Sequence, residues 1–302
     1  MVVYTGLALF AGAGGLELGL SLALGKHYRT IAYVERECTS AAVLAANMER
    51  GWLDKAPIWD DVTTFTGDVV SPFVDRIDIV SAGFNCQPWS YAGNRKGTDD
   101  DRWLWPNIVE ILGTIRPEWA FFENVPGLLR GGLGPILSDL TSLGFDAEWI
   151  TVRASEVGAP HRRERVFILA HGSSRRSQVG NTQPSRAVTE QRSSYVGNAD
   201  SQRRRTQGDS ELTPAGIGGG CRPFPWPPSP ESTEDWREVI EVRPDLAPAV
   251  KPEVRGMDDG VARGLARTQQ LRILGNGVVP QQAALAFQIL KERIDGSTST
   301  SK

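Results

Sequence analysis

Residues 9–20 read LFAGAGGLELGL, and three glycines, Gly12, Gly14 and Gly15, separate an apolar run from a helical pattern. Glycine at such a junction tolerates left-handed backbone and lets the main chain approach a ligand where a side chain would clash. The residues before it, TGLALFAG, read as a strand, and GLELGLSLAL after it reads as a helix. A strand, a glycine turn and a helix in that order open an α/β sheet with crossover helices. Taken alone, the loop fits a dinucleotide, an adenosyl cofactor or no ligand at all.

The alternation continues outward to residue 171. TIAYVE forms a second strand, followed by the helical SAAVLAANMER, opened by Thr39 or Ser40 and closed by Gly51 just past its end. RIDIVSAG is another strand. PNIVEILGTI is a helix with Pro106 in its first turn, PEWAFFEN a strand, PILSDLTSL a helix ending at Gly144, and RVFILAH a late strand. From Gly172 the pattern gives way to Ser, Arg, Gln, Gly and Thr, and then to the proline-rich RPFPWPPSP, which suits neither helix nor sheet. An amphipathic helix returns at VVPQQAALAFQILKERI, and DGSTSTSK reads as a frayed tail. The organisation expected is a domain over 1–171, an irregular insert over 172–255, and a C-terminal segment, 256–302, that returns to the first domain.

Composition narrows the class. Of 302 residues 40% are hydrophobic and 23% charged, ordinary values for a globular protein. No apolar run approaches the roughly 20 residues of a membrane span, and the N-terminus lacks a secretory pattern, so a cytoplasmic protein is expected. Cys38, Cys86 and Cys221 are scattered and odd in number, and His27, His161 and His171 make no ligand spacing with them. Neither a disulfide framework nor a metal site is expected. The net charge is −3, yet arginines crowd residues 153–205 against Glu156, Glu164, Glu190 and Asp200. A basic segment in an acidic chain marks where a polyanion can lie; a solvated Arg/Ser loop is the plainer alternative.

Acids stand where strands end. Glu35 closes the second strand, suited to two ribose hydroxyls, and Asp61 ends a third, suited to an exocyclic adenine amine. Cys86 follows the strand RIDIVSAG within VSAGFNCQPWSYAG, residues 80–93. On its own it reads as a small buried hydrophobe or as a nucleophile. Glu123 lies at the end of PEWAFFEN, and Arg163 and Arg165 alternate along the entry to RVFILAH, so both can point to one face.

The order of these elements resembles the C5-cytosine DNA methyltransferase family over all of the chain except roughly 172–255. The cysteine loop is Asn85-Cys86-Gln87 followed by Pro88-Trp89-Ser90, where the family commonly has Pro-Cys-Gln. The Glu123-Asn124-Val125 triplet matches in full. His161-Arg162-Arg163-Glu164-Arg165 stands where the family has QxRxR, and Gly275–Pro280 carries its GN-x-VVP element. A dinucleotide oxidoreductase would account for the glycine loop and leave the rest unexplained.

The resemblance implies a Rossmann-like methyltransferase sheet with a small irregular target recognition domain at 172–255. It implies Cys86 as the nucleophile that adds to C6 of a flipped cytosine and Glu123 as holder of N3 and the exocyclic amine. Arg165 is implied on O2, with Arg163 supporting Glu123 or the loop. It further implies S-adenosyl-L-methionine as cofactor, held by Phe10, Ala11, Gly12, Gly14, Gly15 and Leu16, by Glu35 and Asp61, and by Asn276 and Val278. Double-stranded DNA is the implied partner of a monomer in a bacterial cell or phage-infected host, with a companion restriction endonuclease left open. The polar loop 90–102, with Arg95 and Lys96, would close over the flipped base.

Overall fold

A computed structural model describes residues 3–84, 103–172 and 267–299. Seven strands form one sheet: β1 (Tyr4–Leu9), β2 (Tyr28–Val34), β3 (Ile58–Trp59), β4 (Ile79–Ala82), β5 (Trp119–Asn124), β6 (Phe145–Arg153) and β7 (Glu164–Gly172). Their order is β3-β2-β1-β4-β5-β7-β6. The first five are mutually parallel, whereas β7 runs antiparallel to both β5 and β6. The order reverses between β1 and β4, which makes that crevice the place where an open α/β sheet takes a ligand.

Helices cover both faces. On one side α3 (Trp105–Ile115) and α4 (Leu133–Ser142) bury Ile108, Leu112 and Ile136 against Leu7, Val80 and Phe122. On the other lie α1 (Gly15–Leu24), α2 (Cys38–Glu49), α5 (Arg267–Asn276) and α6 (Pro280–Ser299). There Leu16, Leu20, Phe287 and Leu290 meet Ile79, Phe121 and Phe167. The inner strands β4 and β5 are buried along their whole length, as expected where both faces are covered.

The expected α/β architecture is the one observed, with local departures. α2 begins at Cys38 after Glu37, so Thr39 and Ser40 lie inside its first turn and neither caps it. Gly51 does close it, at φ 73. The strand β6 was not expected: its acids Asp146 and Glu148 face outward at the sheet edge and dilute the apolar signal. α6 continues to Ser299 where a frayed tail was expected, supported by the buried Ile294 and a Lys291–Asp295 ion pair at 2.6 Å. β3 is only two residues long, so Asp61 sits just beyond it, capping a 3-10 turn over Val62–Thr64.

Candidate active site

The loop after β1 is left-handed three times, at Phe10 (φ 53), Gly12 (φ 58) and Gly14 (φ 84). Only glycine takes this region at no cost. The three glycines have different neighbours. A Cβ on Gly12 would meet nothing within 4 Å, so this backbone faces open space. A Cβ on Gly14 would strike the Leu53 side chain, and one on Gly15 would lie 2.5 Å from the carbonyl oxygen of Val278. The space beside the three glycines therefore differs: Gly12 borders open space, Gly14 makes room for Leu53, and Gly15 makes room for the C-terminal segment. Ala11 and Leu16 are buried beneath the turn.

Glu35 stands one residue past β2 and braces this loop. Its Oε2 accepts from the N–H of Gly12 at 2.8 Å, and its Oε1 accepts from the N–H of Glu37 at 2.7 Å. Burial raises its carboxyl above the usual range, against those two backbone donors. Asp61 is the opposite case. Its Oδ1 accepts from the backbone N–H of Thr63 (2.9 Å) and from the Thr63 hydroxyl (2.8 Å), and Arg36 Nε lies 3.8 Å from Oδ2. The Thr63 bonds, then Arg36, hold this carboxyl below its ordinary value. An open backbone cradle with one acid beside it and an ionised acid at the next strand end suits an adenosyl group. Val278 closes the far side through its contact with Gly15, and Asn276 is exposed at the end of α5.

A second cluster lies at the same edge. Because β7 is antiparallel, its beginning lies beside the end of β5, and Glu123 pairs with Phe167 in register. Glu123 is 8% exposed and makes a 2.9 Å ion pair with Arg165 Nε. Burial outweighs the attraction of Arg165 and Arg163 and pushes its carboxyl up to about 7. Gly83, just past β4, leaves a gap beside Glu123: a Cβ there would sit 3.6 Å from Oε2. Asn124 Nδ2 donates to the Phe84 carbonyl at 3.2 Å, which fixes the exit of β4 against β5. Cys86 comes two residues later in sequence and, with Arg95, Lys96 and the loop 90–102, lies outside the described residues, as does the insert from residue 173.

Arg163 acts on Glu123 through its charge and bonds elsewhere. It precedes β7 with φ 24, and its guanidinium donates to the carbonyls of Gly275 (2.9 Å) and Gly277. Burial, then Arg165, depress its pKa, and Glu123 opposes them. The structure thus gathers Phe10–Leu16, Glu35, Asp61, Asn276, Val278, Glu123, Arg163 and Arg165 along the edge formed by the ends of β1–β5 and the start of β7. Among the buried polar groups that the sequence reading did not single out are Gln282 and Glu17. Gln282 interrupts the apolar stripe Ala283, Ala286, Phe287 and Leu290, which was its one available signal. Glu17, whose Oε1 accepts from Ser81 Oγ at 2.8 Å, stands in the first turn of α1, where an acid is commonplace.

Among the described residues no group of three or more side chains could hold a metal ion, and no helix is long and apolar enough to cross a membrane. Residues 4–214 match the family model for C-5 cytosine-specific DNA methylase. The chain is 32% identical over 168 residues to the type II methyltransferase M.AplI of Arthrospira platensis, covering 55% of this chain and 45% of that one. It is 35% identical over 173 residues to M2.BsuMI of Bacillus subtilis, covering 54% and 41%. A solved structure of a prophage-encoded DNA modification methyltransferase from E. coli aligns at 26% identity with a TM-score of 0.46, over 56% of this chain and 47% of that one. The chain spans less than half the length of the two curated relatives.

Proposed function

The chain belongs to the C-5 cytosine-specific DNA methylase family, and from that premise we propose that it methylates C5 of cytosine at a short specific sequence in duplex DNA. The observation that carries this reading is the buried Glu123–Arg165 pair, set beside the strand exit that leads to Cys86 and on the same edge as Gly12, Glu35 and Asp61.

C5 of cytosine is too weak a nucleophile to be alkylated directly. Addition of the Cys86 thiolate to C6 converts C4–C5–C6 into an enamine and makes C5 reactive. Glu123, with a carboxyl near 7, carries a proton for much of the time at neutral pH. It can donate to N3 while accepting from the exocyclic amine, which offsets charge building on the ring. Arg165 holds Glu123 in place and offers a donor to O2. The base must leave the duplex for any of these groups to reach it, as base-modifying enzymes generally require.

S-adenosylmethionine, when bound, supplies the electrophilic methyl group that the activated C5 takes up. Glu35 would serve its ribose, Asp61 its adenine amine, and the backbone at Gly12 and Val278 its remaining contacts. Loss of the C5 proton then expels Cys86 and restores the ring. We assign residues 172–255 to target recognition and a monomer as the working unit.

The test is covalent trapping. The parent protein should form a denaturant-resistant complex with duplex DNA carrying 5-fluorocytosine at the target, because fluorine cannot leave as a proton does. Cys86→Ser should form none and transfer no methyl group, yet still bind S-adenosylhomocysteine. Methylation by Cys86→Ser at the parental rate overturns the reading.

A further inference from the structure

We infer that Gln282 is a positioning residue, a buried amide that, through Arg163, holds the Gly275–Val278 loop in register with Glu123. Its side chain is fully buried, with 0% exposure. Nε2 donates at 2.6 Å to the carbonyl of Val152 and at 2.8 Å to that of Arg163. These carbonyls lie on the two arms of the β6–β7 connection, whose pairing runs on to a bond from the Ala154 N–H to the Arg162 carbonyl at 2.8 Å. Val152 lies near the end of β6 opposite Arg165 of β7, and Arg163 lies just before β7 begins. One amide therefore ties α6 to both arms of this connection at the end of the strand ladder.

Arg163 shows why the tie matters. A non-glycine residue at φ 24 occupies a region that side chains disfavour, and such a conformation persists only where surroundings hold it. Gln282 holds it from the backbone side. From there the Arg163 guanidinium reaches the carbonyls of Gly275 and Gly277, on either side of Asn276. Val278 follows, with its own carbonyl against Gly15 of the glycine loop. A second arm leads from Val152 through its register partner Arg165 to Glu123. The result is one brace with two ends, one at the cofactor-side loop and one at the base-side acid. An apolar residue at 282 would satisfy α6 packing equally well, so the amide is explained by the carbonyls it serves.

The loop end of the brace is a property of the fold; its bearing on cofactor rests on the function proposed above. The experiment separates the two. Gln282→Met keeps the volume and removes the donor. In the cofactor-free full chain, amide exchange at residues 275–279 should quicken several-fold in Gln282→Met and in Arg163→Met. Affinity for S-adenosylhomocysteine by calorimetry should fall about ten-fold in each, at a temperature where both remain folded. In the double variant the losses should not multiply, because both substitutions cut one brace. Unchanged loop exchange in Gln282→Met overturns the inference, as do losses of affinity that multiply. If Gln282→Met does not fold, Arg163→Met alone decides, and parental exchange in that variant overturns it. A parent protein that fails to bind S-adenosylhomocysteine, while the loop responds as expected, refutes the proposed function and leaves the brace standing.

Discussion

Glu123 and Asp61 are both acids at strand ends, and their surroundings drive them apart. Asp61 has donors from Thr63 and remains an anion. Glu123 is buried against Phe167 and Gly83, and two guanidinium groups only partly offset the loss of water. A carboxyl near 7 is half protonated at neutral pH, which is the state a donor to N3 needs. The sign follows directly. As pH rises through 7 the proton is lost, so the Glu123-dependent part of the rate falls above that point and is fully present below it. Glu123→Gln should lower methyl transfer by roughly 10²-fold or more. Its residual rate should no longer decline on the alkaline side. DNA affinity by fluorescence anisotropy should change far less than rate. An equal loss of both would make Glu123 a structural group. Glu123 and Arg165 were legible as strand-terminal residues, and it was the ordered set of motifs around them, rather than spacing alone, that singled them out. The bonds of Arg163 to the Gly275 and Gly277 carbonyls could not be read from spacing, because a left-handed residue breaks the alternation that spacing assumes and those carbonyls lie more than 100 residues away.

At the scale of elements, the glycine loop, α1 and α6 depend on one another. Gly19 on α1 faces α6 so closely that a Cβ would lie 2.6 Å from the Ala283 Cβ and 2.8 Å from the Pro280 carbonyl. Neither atom is the movable end of a long side chain. Alanine in a helix interior gains about 1 kcal/mol over glycine by propensity, whereas forcing one methyl into a filled contact costs about 1–3 kcal/mol. The contact wins. Gly19→Ala should lower the melting temperature, while Gly296→Ala in α6, where a Cβ meets nothing within 4 Å, should raise it slightly. Differential scanning calorimetry of the two variants checks both signs, and a Gly19→Ala protein more stable than its parent would mean the helices can separate cheaply. The pairing of α1 with α6 was legible only in part. The sequence marks Gly15 and Gly19 as small, but what they make room for is a segment more than 250 residues away, which no local pattern carries. β6 was missed for a related reason: an edge strand needs fewer apolar residues than a central one, so its alternation is faint.

For the whole molecule, the arginine-rich stretch from 153 to 205 divides at the end of β7. Two of the four described members are committed within the protein, Arg163 to the carbonyls of Gly275 and Gly277 and Arg165 to Glu123; Arg153 lies 3.9 Å from Glu164 in an exposed pair, and Arg162 is exposed. Two exposed arginines are a small attraction for a polyanion in a chain whose net charge is −3. We propose that role for the arginines beyond residue 172, which lie outside the described residues; Arg203, Arg204 and Arg205 are the densest run among them. Three consecutive side chains cannot all address one base, so at least one should lie along the phosphate backbone. Each phosphate contact releases counterions, and its loss lowers affinity for every sequence alike and reduces the salt slope by about one unit. A base-reading arginine differs, costing about 1–3 kcal/mol at one position and relaxing specificity there. The variant carrying Arg203→Ala, Arg204→Ala and Arg205→Ala should therefore bind cognate and scrambled duplexes more weakly, with a shallower dependence of Kd on salt. Bisulfite mapping should find the methylated site unchanged. A parental salt slope would show that the run is solvated and that the polyanion is held elsewhere, whereas a relaxed methylation site would make one of the three a base reader.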